Sequence, residues 1–191
     1  MAFWSDAAVE PKRSYRFLFE LVGASADEKL ASYFVKSAEK PKFEMDSPLE
    51  VKYIQHTFYY PGRVSWTPIS ITVIDPGTPD ATAILMNILG ASGYVLPTRE
   101  EVANTSISKV GAINAGVGDP KLTQIDAEGK PVEEWTLHNA FLQSVDFGEV
   151  SYDNDEILNY TLTLAYDYAS LSTKNTAVNA NVASKSPVFG G

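Results

Sequence analysis

The chain has 191 residues, no cysteine and a formal net charge of −9. That length supports one domain with a full core and peripheral extensions. The missing cysteines exclude disulfide scaffolds, thiolate zinc sites and thiol catalysis, and the acidic balance argues against a protein that grips nucleic acid through its phosphates. Residues 1–17 lack the basic start and apolar centre of a signal peptide, and no apolar run reaches membrane-spanning length.

Residues 1–12 read as an N-terminal arm. A strand follows, with Tyr15, Phe17, Phe19 and Leu21 on one face and Ser14, Arg16 and Glu20 on the other. Gly23–Lys29 reads as its turn, and Tyr33–Ala38 as a second strand. Glu39–Gly62 differs in kind. Pro41, Pro48 and Pro61 punctuate it, which limits regular pairing, yet it carries Phe43, Met45, Leu49, Val51, Tyr53, Ile54, Phe58, Tyr59 and Tyr60. Such a segment either protrudes and meets a partner or folds back on its own core.

Arg63–Ile74 predicts a strand whose apolar phase slips at Pro68, a pattern that a β-bulge would reconcile. Thr78, Pro79 and Asp80 open a helix, with Thr78 as the cap. Ala81, Ile84, Leu85, Ile88 and Leu89 form its core-facing stripe, and Gly90 or Gly93 ends it. Pro97–Glu101 has the signals of a short second helix with Thr98 and Glu101 as a capping box. Asn104–Pro120, rich in Ser, Asn, Gly and Ala, reads as a mobile insertion. Lys121–Asp126 and Val132 onward predict a hairpin turning through Asp126–Gly129.

Trp135–Tyr168 predicts two long strands around a short acidic turn. In the second, Leu158, Tyr160, Leu162, Leu164, Tyr166 and Tyr168 alternate with Asn159, Thr161, Thr163, Ala165 and Asp167. In the first, Trp135, Leu137, Phe141, Val145 and Phe147 share a phase that Asn139 and Gln143 interrupt. Ser170–Gly191 reads as an extended tail. Strands, one helix, then more strands make an α+β chain, most simply a β-barrel or sandwich closed at one end by the helix.

Signs of catalysis fail one by one. His56 and His138 lie far apart in the chain. Asp146, Glu149, Asp153, Asp155 and Glu156 hold only a fragment of a calcium loop and read as solvated turn residues. Gly111–Gly116 has the glycine spacing of a phosphate loop, but Val117 stands where its lysine belongs. Gly90–Gly93 lacks the spacing of a nucleophile elbow. Asn104 and Asn159 head glycosylation sequons with no signal peptide. The residues specify no enzyme, cofactor or metal site.

The Trp135 strand, the Val145-x-Phe147-Gly148 segment, the Asp153–Glu156 turn and the closing Tyr166-Asp167-Tyr168 resemble the C-terminal hairpin of contractile-tail (myophage) tail tube proteins. The family's order of parts looks like Tyr15–Ala38, Glu39–Gly62, Trp66–Asp75, Thr78–Leu89 and Trp135–Tyr168. The departures are Asn104–Pro120 and the tail after Ala169. The resemblance implies a mostly β tail-tube fold over residues 13–169, with one packed helix, a protruding inter-subunit loop at 39–62, an insertion at 104–120 and a tail at 170–191.

It also implies a virion tail component made in the host cytoplasm: hexameric rings of this chain, stacked into a tube that conducts DNA during ejection. Its partners would be the tail sheath, a tape-measure protein, baseplate and tail-terminator proteins, and transiting DNA bound without sequence preference. Leu49, Val51, Tyr53, Phe58 and Tyr59 are the inter-subunit candidates. Asp146, Glu149 and Asp167 are the lumen candidates, since an acidic wall would let DNA slide. Two alternatives are a type VI secretion or extracellular injection tube carrying protein cargo, and a soluble β-barrel ligand-binding protein.

Overall fold

The structure, a computed structural model, describes residues 11–21, 34–78, 80–95, 106–113, 117–153 and 155–173. The turn expected at Gly23–Lys29, the helix expected at Pro97–Glu101, most of the N-terminal arm and the tail from residue 174 lie outside these residues. In chain order the elements are β1 (Phe17–Glu20), β2 (Val35–Ala38), β3 (Lys42–Met45), β4 (Leu49–Tyr53), β5 (His56–Tyr60), β6 (Val64–Thr67), β7 (Ile69–Ile74), α1 (Ala81–Ala91), α2 (Lys109–Ala112), β8 (Lys121–Ile125), β9 (Pro131–His138), β10 (Phe141–Asp146), β11 (Asn159–Ala165) and β12 (Tyr168–Thr173).

Two antiparallel four-stranded sheets carry the core, in the orders β1-β8-β9-β12 and β10-β11-β7-β2. Among the described residues they remain two sheets and do not close into one barrel. At the centre of the second, Ile69, Ile71 and Val73 of β7 face Leu164, Leu162 and Tyr160 of β11, and all six are buried. Ser70 and Thr72 pair with Thr163 and Thr161 on the other face. The alternation in sequence therefore becomes the burial pattern directly. Phe19, Leu21, Leu122 and Leu137 bring the first sheet into the same apolar cluster.

Helix α1 closes the core with Ala81, Ile84, Leu85 and Ile88, the predicted stripe; Leu89 is half-buried. Its cap is Asp80, not Thr78. The Asp80 carboxylate accepts from the Ala83 amide at 3.1 Å, whereas the Thr78 hydroxyl donates to the Gly77 carbonyl. At the other end the Gly93 and Tyr94 amides return to the carbonyls of Gly90 and Leu89, with Gly93 at φ +100°. That is a Schellman stop, and glycine is the residue that takes this geometry without strain. The Tyr160 hydroxyl ties helix to sheet, donating to Asp75 at 2.6 Å and accepting from Thr82 at 3.0 Å.

The structure also corrects the sequence reading at the strand boundaries. Pro68 does not sit in a bulge; it separates β6 from β7, which belong to different sheets. Proline has no amide to continue a ladder, so the chain changes partner there. The long runs through Trp135 and Tyr166 are each two strands. β9 pairs with β12 in the first sheet and β10 with β11 in the second, as one long hairpin folded over at a corner. Asn139, at φ +56°, makes the bend on one side and Tyr166–Asp167 on the other. The acidic connection is not a short turn: β10 ends at Asp146 and β11 begins only at Asn159.

The corner is clasped by polar contacts. The Asp167 carboxylate receives Lys109 at 2.7 and 2.9 Å and the Asn139 amide group at 2.8 Å. Those two partners, Lys109 first, hold its pKa below the ordinary value. Lys109 belongs to α2, so residues 106–113 dock here through a short helix, and Ala112 and Val117 are buried. β12 runs to Thr173, four residues into the segment expected to be tail.

Truncating Leu162 to Ala should cost about 2–5 kcal/mol of unfolding free energy, because it leaves a cavity at the centre of the β7–β11 ladder. Thr161→Ala, one residue away on the other face, should stay within about 0.5 kcal/mol. Chemical denaturation of the two variants checks the contrast.

Candidate assembly interface

Glu39–Gly62 protrudes. β3 pairs with β6 at the base of an arm, and β4 pairs with β5 at its tip. Residues 42–61 are all exposed. An isolated two-stranded hairpin is marginal in water, so the arm needs its attachment. The Phe43 ring meets Trp66 edge-on at 5.5 Å, and Trp66 meets the buried Tyr166 at 6.0 Å, a ladder of rings from arm base to core. Asp46 donates its amide to the Arg63 carbonyl at 2.8 Å. Gly62 is required by this close approach: a Cβ there would stand 2.3 Å from the Asp46 carbonyl oxygen.

The tip register sorts the candidate residues. Leu49 pairs with Tyr60, Val51 with Phe58 and Tyr53 with His56. Alternation places all six on one face, and the rings of His56 and Phe58 lie 6.5 Å apart on it. Glu50, Lys52, Thr57 and Tyr59 occupy the other face. Four of the five candidates, Leu49, Val51, Tyr53 and Phe58, therefore form one apolar surface; Tyr59 sits opposite them beside Glu50. Tyr60, paired with Leu49, lies on the same face as the four. Ile54 is 86% exposed at the turn and held at φ +55°. A β-branched residue is rarely found there, at a cost of roughly 1–3 kcal/mol.

The lumen candidates are not neighbours. Asp146 ends β10, where its carboxylate accepts from the Gly148 amide at 2.9 Å, and Glu149 is exposed in the following loop. Asp167 lies at the corner, beyond the other end of β11, occupied by Lys109 and Asn139. A cleft of about 480 Å³ opens between the outer strands of the two sheets, lined by Tyr15 and Phe17 on the β1 side, Lys36 and Ala38 on the β2 side, and Leu122 and Trp135 beneath. Among the described residues no group of three or more histidine or carboxylate side chains could hold a metal ion, and no helix is long and apolar enough to cross a membrane.

One buried acid holds the arm base to the first sheet. Glu133 is 7% exposed on β9 and accepts from Lys12, from Lys40 at 2.8 Å and from the Trp135 indole at 2.6 Å. Lys40 sits between β2 and the arm, and also reaches Gln124 at 2.7 Å. Gln124 in turn donates to the Arg13 carbonyl at 3.0 Å. Burial would raise the Glu133 pKa, but the hydrogen bonds from Lys12, Lys40 and Trp135 outweigh it and hold the group at about 2.

No protein-family model matches the chain, and no curated protein matches it. Solved structures do. A chain of the anti-feeding prophage baseplate superposes with a TM-score of 0.56 at 15% identity, over 87% of this chain and 99% of that one. A chain of the anti-feeding prophage cap, the tube-terminating cap, gives 0.56 at 21% identity over 91% and 99%. A chain from the extended sheath-tube complex of PVC, an extracellular contractile injection system, gives 0.53 at 17% identity over 91% and 99%. The fold is thus one shared with chains of contractile injection assemblies, in agreement with the tail-tube resemblance in the order of elements.

Glu133→Gln should lower stability at pH 7 by on the order of 2 kcal/mol, since it leaves Lys12 and Lys40 beside a neutral group. The folded pKa lies below the unfolded value of 4.5. The wild-type advantage is therefore full above about pH 4.5 and is lost as pH falls toward 2. Denaturant midpoints of both proteins across that range should converge at the acid end.

Proposed function

We propose that this chain is a non-enzymatic structural subunit of the tube of a contractile machine, assembled as rings of six copies stacked end to end. The observation that carries this reading is the arm: an uncovered apolar face on a rigidly based hairpin, set on a fold shared with chains of contractile injection assemblies. Leu49, Val51, Tyr53, Phe58 and Tyr60 bury against a neighbouring subunit. Each such side chain contributes about 1.5–3 kcal/mol when fully buried. Outer strands of a sheet must be paired or protected, and a closed ring pairs them between subunits while head-to-tail stacking extends the tube.

The sheath surrounds this tube and a terminator ends it; a tape-measure protein and baseplate set its length and start. Two cargoes suit such a tube. In a phage tail, within the virion, it conducts DNA. In an extracellular injection system it carries protein, a reading favoured by the likeness to chains from the anti-feeding prophage and PVC. Asp146, Glu149 and Asp167 remain candidates for a lumen that is acidic or neutral.

Tyr53→Asp with Phe58→Asp should leave the circular dichroism spectrum and unfolding midpoint nearly unchanged, because both side chains are exposed in the single subunit. The same variant should lose the rings or tubes that the wild type forms in sedimentation and negative-stain microscopy. Loss of fold in the variant, or a wild type that stays monomeric at high concentration with a nucleating baseplate present, defeats the reading.

Purified tubes should also retain DNA weakly and with little salt dependence, as a wall of net charge near or below zero releases few counterions. Tight, salt-sensitive retention is the opposing outcome, measured by filter binding across a salt series.

A further inference from the structure

The inward face of the first sheet ends in a polar row. Register places Phe17, Gln124, Glu133 and Thr173 side by side across β1, β8, β9 and β12. The neighbouring row on that face is Phe19, Leu122, Trp135 and Leu171, all apolar. Gln124 and Glu133 are each 7% exposed, so they hold core positions at the edge of the apolar cluster. A buried acid paired with lysines is weak evidence of stabilisation, because well-packed apolar side chains of similar volume serve as well or better. The row therefore calls for a role other than stability.

Each of the two polar residues bridges the same two segments. Glu133 accepts from Lys12 and from Lys40 at 2.8 Å. Gln124 accepts from Lys40 at 2.7 Å and donates to the Arg13 carbonyl at 3.0 Å. Lys12 and Arg13 belong to the segment that precedes β1, and Lys40 to the stem by which the arm leaves β2. The stem is short: only Glu39, Lys40 and Pro41 separate β2 from β3. The Glu39 amide still bonds to the Ser70 carbonyl of β7 at 3.0 Å, so the arm departs at Lys40. A residue before proline is confined to extended backbone, and a shift of Lys40 passes on to β3 instead of being absorbed. The arm's other stem, β6, rests on the Trp66–Tyr166 ring contact. Apolar burial is non-directional, whereas the bonds to Lys40 run to fixed acceptors and define an angle.

We propose that Gln124 and Glu133 form a latch through which the segment before β1 sets the direction of the arm. With Lys12 and Arg13 in place, the carboxylate and carboxamide are held from one side and Lys40 has a single seat. With that segment drawn away, a carboxylate oxygen loses its cation, Lys40 moves toward it and the arm turns. Gln124 and Glu133 are positioning residues, and the device works within one chain.

The chain has no cysteine, so Thr57→Cys at the arm tip and Met86→Cys on α1 give two unique spin-label sites, both exposed. Labelled chains are diluted with unlabelled protein, and label-to-label distances are read by double electron–electron resonance. The labelled parent should show one narrow population. Lys12→Met should move that population. Lys40→Met, and separately Gln124→Leu with Glu133→Leu, should widen it severalfold. Lys12 and Lys40 are half-exposed, so their variants should keep the parent's circular dichroism spectrum. Unchanged distances in Lys12→Met overturn the latch, and so does a narrow population in Lys40→Met or in the double variant. A broad population in the parent overturns it too. If the double variant does not fold, the two lysine variants decide. The distances belong to single molecules, so the latch stands or falls whether or not the chain forms tubes.

Discussion

The register of β7 against β11 is the constraint on which the rest depends. Ile69, Ile71 and Val73 are buried opposite Leu164, Leu162 and Tyr160, and the serine and threonines between them face the other way. A slip of one residue by either strand would turn its three apolar side chains out of the core and its two hydroxyls into it, so one register is strongly preferred. That choice also decides where the chain leaves the sheet. It puts the arm at the Ile69 end and the 147–158 loop at the Ile74 end, and α1 follows β7 closely enough for Tyr160 to clasp Asp75 and Thr82. Core packing and the polarity of the molecule are set by the same six pairs.

The elements legible in the sequence are those whose signal is local. The alternation of β11, the 3.6-residue stripe of α1 and the Asp126–Gly129 turn each follow from a few adjacent residues, and each is present. In that turn the Asp126 carboxylate accepts from the amides of Glu128 and Lys130, and Gly129 takes φ +78°. The places where strands change sheets were not legible. The apolar phase runs through Asn139 and through Tyr166–Asp167 almost without a break, because the corner keeps inward residues inward: Leu137, Ala140, Leu164 and Tyr166 are all buried on either side of it. Periodicity reports facing, not sheet membership. Pro68 did mark an event, but a bulge and a change of sheet give the same phase slip.

The arm shows the same limit at finer scale. Its apolar content was plain, and four of five candidates fall on one face. Sorting them required the register, and the register required the turn. Ile54-Gln55 carries none of the glycine, asparagine or aspartate that marks a two-residue hairpin, so the sequence did not show that Tyr60 shares the face of Leu49, Val51, Tyr53 and Phe58 and that Tyr59 lies on the other.

A protruding hairpin that was loose at its base would lose much of its binding energy to ordering. Here the base is fixed from three sides: the Trp66–Tyr166 ring contact toward the core, the Gly62–Asp46 close approach within the arm, and Lys40 held by Glu133 and Gln124 on the first sheet. Only the tip then has to be ordered on contact. With a net charge of −9 on every copy, approach of two subunits is opposed by repulsion that acts over about 8 Å at physiological ionic strength. Any contact between copies would therefore have to rest on short-range burial. The arm tip offers the exposed apolar face for it, with Glu50 and Lys52 on the opposite face, and the register of β7 on β11 fixes the end of the sheet from which that tip projects.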